Sequence, residues 1–374
     1  MRNGDRASMD SMRNRAKGYK TRVSVGIIGC TSMLLAACGS TANTSAKTTS
    51  AKVNLGGVTV QQARKIVAQY SAENNASNKS VSATVQAKDE TGYALEADNS
   101  MFRYEIQSGY GPAWQKTHYK PFYEHALSIQ ALDGKGWPKH FAAIVAQTSS
   151  PTSLKPAKNY CDGLFVFVQN HPNGKWRVQA EPFIAPPEVS KVQLAPVGSP
   201  LSANDHNLAV APDVLAEQIT GQLAVWGNGG PSPSLLPASV EASSSCFDLS
   251  WLQNARKDYG LQGGGGTFTA NMVPASGSQA IQSYAVRGGG AIVSVVANLN
   301  LTLDSEPTSS YMTTNSTTGN IIKGVHYSSN TYPFISDITV YDPPRGHGQP
   351  EIIGSYTQEL WPATGVVATS SASA

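Results

Sequence analysis

Apolar residues recur at helical spacing from residue 60 to residue 76, where Ala63, Ile66, Val67 and Tyr70 share one face. Thr59 stands before the run as an N-cap, and Asn74-Asn75 weakens the pattern near its end. Residues 98–106 and 141–147 read as strand or mixed segments. Leu164-Phe165-Val166-Phe167-Val168 is a continuous apolar strand. The Asn173-Gly174 turn follows it, and Lys175-Trp176-Arg177-Val178-Gln179 returns with strand alternation. A Pro-rich stretch from Pro182 to Pro200 then interrupts all periodicity.

The second half repeats the order. Pro212 sits at a favoured first-turn position, and Val214, Leu215, Ile219, Leu223 and Trp226 give an apolar helix face. Residues 227–237 break it, and residues 247–259 read as a second short helix. Strand structure begins at residues 267–270. Residues 291–297, all apolar except Ser294, form the strongest strand pattern in the chain. Residues 334–341 and 351–361 pair as a last hairpin. Helices lead and strands follow in each half, which predicts an α+β fold and not the alternation of a parallel sheet. The simplest architecture is two tandem cone-like domains, each a helix packed on a curved antiparallel sheet. Their element order is similar to that of cystatin-like and nuclear-transport-factor-like folds.

The N-terminus changes the picture most. Arg13, Arg15, Lys17, Lys20 and Arg22 precede an apolar run, which ends in Leu35-Ala36-Ala37-Cys38. That order is a secretory signal. The run is diluted by Gly26, Gly29, Thr31 and Ser32, and falls short of the ~20 apolar residues of a membrane span. The last four residues resemble a bacterial lipobox, which implies cleavage before Cys38 and lipid attachment to its sulfur. The chain therefore divides into a signal (1–37), a Ser/Thr/Ala-rich tether (38–54) and a first domain (55–185). A connector (186–208), a second domain (209–362) and a disordered tail (363–374) follow. The expected location is the outer face of the cell membrane, held by lipid chains such as diacylglyceryl and palmitate.

Processing also alters charge and cysteine count. Residues 1–37 carry seven of the 28 basic residues and two of the 25 acidic ones, which leaves 21 against 23. No basic cluster interleaved with aromatics remains, which argues against nucleic acid as a partner. Cys161 and Cys246 are left in a compartment that permits disulfides, and are expected to pair; two separate buried thiols are the alternative.

Catalytic signatures are sparse. His118, Glu124, His125 and His140 lie near one another in sequence, but Pro121 opposes a shared helix and no recognised metal-ligand spacing occurs. They read as exposed or hydrogen-bonded histidines beside an aromatic surface, so no metal and no cofactor is expected. The glycine runs at 263–266 and 288–290 lead into strands, not helices, and read as turns. No Gly-x-Ser-x-Gly elbow is present. Tyr70, Asp98, Tyr104, Trp137 and His140 could line a pocket between helix and sheet; aromatic core filling is the alternative.

The stretches Ala63-Arg64-Lys65-Ile66-Val67-Ala68-Gln69-Tyr70, Glu90-Thr91-Gly92-Tyr93-Ala94-Leu95-Glu96-Ala97-Asp98 and Trp137-Pro138-Lys139-His140-Phe141 carry a resemblance. They resemble an uncharacterised lipoprotein family, a domain of unknown function, from high-GC Gram-positive bacteria. The resemblance implies location and fold class, and no activity. The expectation is a non-enzymatic binding or envelope-assembly protein, whose partner is an envelope protein, a cell-wall glycan or a small apolar ligand. An envelope enzyme using the first-domain pocket is the rival.

Overall fold

The computed structural model describes residues 58–132, 136–154, 161–189, 191–198, 201–202, 204–236, 246, 249, 252, 266–277, 279–305, 312–313, 326–360 and 362–367. The signal, Cys38, most of the expected helix at 247–259 and the glycines at 263–265 lie outside these residues.

The chain opens with four helices: α1 (Val60–Ser80), α2 (Ala83–Gln86), α3 (Gly92–Gln107) and α4 (Pro112–His118). Thr59 caps α1 through a reciprocal pair with Gln62, so the sequence signal for its start is met in full. The helix continues past Asn74-Asn75 to a left-handed stop at Val81, φ 48°. Residues 98–106, read from sequence as strand or mixed, are helical within α3. Their buried positions Ala94, Ala97, Met101 and Phe102 follow a helical spacing that Asp98 and Glu105 interrupt.

Four strands follow: β1 (Tyr123–Leu132), β2 (Lys139–Thr148), β3 (Asp162–Gln169) and β4 (Arg177–Ala180). Asn173 takes φ 61° in the turn before β4, as its Asn-Gly sequence asks. Strand β5 (Phe183–Ile184) also pairs with β3. After the short helix α5 (Pro186–Val189), strand β6 (Val197–Gly198) joins β1 in parallel, giving the order β4-β3-β2-β1-β6. All other pairs of this sheet are antiparallel.

Helix α6 (Pro212–Gly227) precedes the second sheet. Its strands are β7 (Gly266–Pro274), β8 (Ile281–Ala285), β9 (Ala291–Ser305), β10 (Met312–Thr313), β11 (His326–Asp342), β12 (Glu351–Glu359) and β13 (Thr364–Val367). Strands β9 and β11 form the spine, paired from Ser329↔Asp304 to Asp342↔Ala291. Gly288, Gly289 and Gly290 all have positive φ in the β8–β9 turn, so that glycine run is turn chemistry. The expected disordered tail needs correcting: residues 364–367 pair with β11.

Both sheets are buried on both faces in their centres. One face of the first sheet (Phe141, Ala143, Val145, Phe165, Phe167) meets Ala63, Val67 and Tyr70 of α1. Its other face (Ala142, Ile144, Leu164, Val166) meets Tyr284, Val286, Ile292 and Ile353 of the second sheet. Leu215, Ile219, Leu223 and Trp226 of α6 join the remaining core with β7 and β9. The order of layers is helices, sheet, sheet, helix.

The segment between the sheets is also bonded into them. Arg287 donates its backbone N–H to Gln193 O, Ala195 to Ala285 O, and Ala209 to Pro343 O. Cys161, before β3, is disulfide-bonded to Cys246, with Cα atoms 5.4 Å apart.

Candidate functional site

Where α1, α3 and both sheets meet, the interior turns polar. The buried stripe of α1 begins with Ala63 and Val67 and passes through Tyr70 to Ser71, Asn74, Ser77 and Asn78. Gln86 ends α2, Glu90 follows it, Asp98 comes from α3, Glu124 from β1, Glu181 from just beyond β4, and Asp337 from β11. Glu90 is 0% exposed, Asp98 and Glu181 2%, Glu124 3% and Asp337 5%.

Local geometry explains how these side chains converge. A bulge in β1 between Ala126 and Ser128 shifts the register, so that Glu124 and Ala126 share the helix-facing side with Ile129 and Ala131. The Glu124 backbone N–H is held by Ser71 Oγ at 3.1 Å. Glu90 is fixed by a parallel bridge to Val178 on β4.

Tyr70 is the hub. Its hydroxyl donates to Glu90 Oε1 at 2.6 Å and lies 3.4 Å from Glu181 Oε2. Asn74 Nδ2 donates to the phenol oxygen at 3.2 Å, and Asn78 Nδ2 donates to Asn74 Oδ1 at 2.7 Å. Gln86 donates its amide to Glu90 Oε1 and accepts from Ser77 Oγ. The Tyr70 ring stands edge-on to Phe165 and Phe167, each 5.8 Å between centroids. Some carboxyl oxygens are left over. Glu90 Oε2 and both carboxyl oxygens of Glu124 are fully buried without a hydrogen bond of ordinary geometry. The Asn74 side chain is near enough to Glu124 to favour its charged form weakly.

Burial raises the pKa values of Glu90, Glu124 and Glu181 well above the usual carboxylate range. The charge of Asp98 adds to the rise in all three. Burial, and then the surrounding carboxylates, raise Tyr70 as well. Asp337 is pushed by burial up to about 7, against a backbone hydrogen bond from Glu181. Lys175, at the rim of this region, pairs with Asp89 and Glu73. Asp89 is still pushed by burial up to about 6. Burial favours the neutral forms of Glu90 and Glu124, so these two acids hold protons above the usual carboxylate range. Among the described residues, no group of three His, Cys, Asp or Glu is arranged to hold a metal ion.

Of the five pocket residues expected from sequence, the fold brings Tyr70 and Asp98 together. Tyr104 lies on α3 six residues beyond Asp98, off the face that carries Asp98 and Glu105. His140 alternates with Phe141 on β2 and so faces away from α1, with burial lowering its pKa. Trp137 stands in the β1–β2 turn, 42% exposed. These three do not line the site. Glu90, Glu124, Glu181 and Asp337 were missed because apolar periodicity cannot register a buried acid. His118 stacks on Trp114 at the surface, and His125 bonds Thr148, so the sequence neighbours do not converge.

A family profile matches residues 55–365, covering both sheets and the segment that joins them. The chain belongs to that family, described as a domain of unknown function (DUF8094). The DUF8094 unit thus includes the whole carboxyl cluster, and Asp337 reaches it from the second sheet. No curated relative and no solved structure matches the chain.

Proposed function

We propose that the chain is a lipid-anchored protein of the outer cell surface that works by binding an envelope macromolecule, not by catalysis. The carrying observation is the closed interior: the titratable groups that could do chemistry, Glu90, Glu124, Glu181 and Tyr70, are each at most 3% exposed. A substrate has to reach a general acid or base within hydrogen-bond distance, and burial keeps these groups from solvent. The Tyr70 ring packs edge-on against Phe165 and Phe167, which favours core packing over a ligand space. Recognition therefore falls to the surface, where a protein or a wall glycan makes contact. The anchor rests on the basic and apolar run before Leu35-Ala36-Ala37-Cys38, and fits the likeness to lipoproteins of high-GC Gram-positive bacteria.

A second reading is favoured by the clustering of perturbed acids, a pattern common at active sites. It is an envelope enzyme whose helical layer opens to admit substrate.

Two measurements test the proposal. Mass spectrometry of the mature N-terminal peptide should show a diacylglyceryl mass on Cys38, and Cys38→Ala should release the protein from membranes. Crosslinking in intact cells, followed by native mass spectrometry, should recover a macromolecular complex. Turnover in a hydrolase panel that disappears in Glu90→Gln would replace the binding reading with the enzymatic one.

A further inference from the structure

The carboxyl cluster lies at a seam. Tyr70, Glu90 and Asp98 belong to the helical layer, Glu124 and Glu181 to the first sheet, and Asp337 to the second. The C-terminal half of α1 is held to this seam in an uncommon way. Beyond Tyr70 its buried residues are Ser71, Asn74, Ser77 and Asn78, with no large apolar side chain among them. Hydrophobic burial therefore contributes little to holding this half down. Polar contacts do that work: Asn75 donates to Phe122 O and accepts from Tyr119, and Ser71 holds Glu124 N–H.

We infer that the cluster is a proton-operated clasp, closed while Glu90, Glu124 and Glu181 share protons and opened at the seam when they ionise. The orphan oxygens of Glu124 and Glu90 are the sensitive points. A neutral carboxyl there needs little solvation, whereas a carboxylate leaves charge on Glu90 Oε2 and on the Glu124 oxygens, which have no hydrogen bond of ordinary geometry. The groups that face the cluster are acids or neutral: Tyr70 and Asn74 from α1 and Gln86 from α2 stay neutral, while Glu90 beyond α2, Asp98 from α3, Glu124 from β1, Glu181 beyond β4 and Asp337 from β11 add negative charge on ionisation. At the rim, Lys175 pairs with both Glu73 and Asp89, so its ammonium is already outnumbered there and does not compensate the interior. Like charges gathered in low dielectric repel strongly. The seam then yields before the second sheet, where β9 and β11 pair over their shared length.

Hydrogen–deuterium exchange on the full chain in mild detergent tests this, with rates corrected for intrinsic exchange. Between about pH 6 and about pH 9, peptides from residues 67–107 should gain at least about tenfold in exchange, while β9 and β11 hold their protection. Glu124→Gln, which mimics the protonated acid, should move the onset to higher pH. Protection of residues 67–107 that is independent of pH in the wild-type chain would overturn the clasp, whatever the variant does. Equal loss across both sheets would overturn it too, since that is global unfolding.

Discussion

Gly354 of β12 packs against the Phe183 carbonyl of β5 so closely that an added β-carbon would overlap the oxygen. Two backbones from different sheets touch here, and Thr339 Oγ1 donates to the same carbonyl at 2.7 Å. The sheets cannot separate without breaking this contact. Gly354→Ala should cost several kcal/mol and sharply lower the yield of folded protein, read by thermal unfolding and soluble expression.

Asp337 gives the clearest pH prediction. Its folded pKa, raised by burial to about 7, exceeds that of an unfolded aspartate. The folded chain therefore holds a proton that the unfolded chain has lost. The stability this contributes is complete below about pH 4 and disappears as pH rises through about 7. Asp337→Asn stays neutral and can still accept the Glu181 N–H. The difference in unfolding free energy between about pH 5 and about pH 8 should shrink by up to about 2.5 kcal/mol. Urea titrations of both chains at the two pH values measure it.

Tyr70→Phe keeps the edge contacts with Phe165 and Phe167 and removes only the hydroxyl. Glu90 Oε1 then loses the Tyr70 hydroxyl and keeps the Gln86 amide, and Asn74 loses an acceptor. The expected destabilisation is about 1–3 kcal/mol, measured as a lower urea midpoint with an unchanged slope.

Asn228 guards an edge. Its side chain donates to Ala270 O and accepts from Ala270 N, at 2.8 and 2.9 Å, as a neighbouring strand would. Asn228→Ala should expose these groups on β7, cost about 1–2 kcal/mol and promote self-association, visible by light scattering.

Much of the fold was legible where packing is apolar. The start of α1, the strand at Leu164–Val168, Pro212 at the head of α6 and the β11–β12 hairpin all carry hydrophobic or capping signals that hold in the structure. Reading failed where burial is polar. Asn74 and Ser77 hid the second half of α1, and Asp98 and Glu105 disguised α3 as a mixed segment. The site consists of those same residues, so the signal that marks it is helical spacing that includes polar positions. Tyr70 and Asp98 were found singly, but the β1 bulge that turns Glu124 inward and the long-range contact from Asp337 leave no local trace.

Strand β9 has a consequence for biosynthesis. Residues 291–297 are buried throughout, yet their main partner β11 begins only at His326. A chain growing from its N-terminus can pair one edge of this strand with β7 and β8, but must leave the other edge open before β11 exists. Messages truncated between the two strands should therefore yield aggregates and not a smaller soluble domain. The open edge closes only when residues 329–342 have emerged, so completion of the second sheet waits on nearly the last part of the domain.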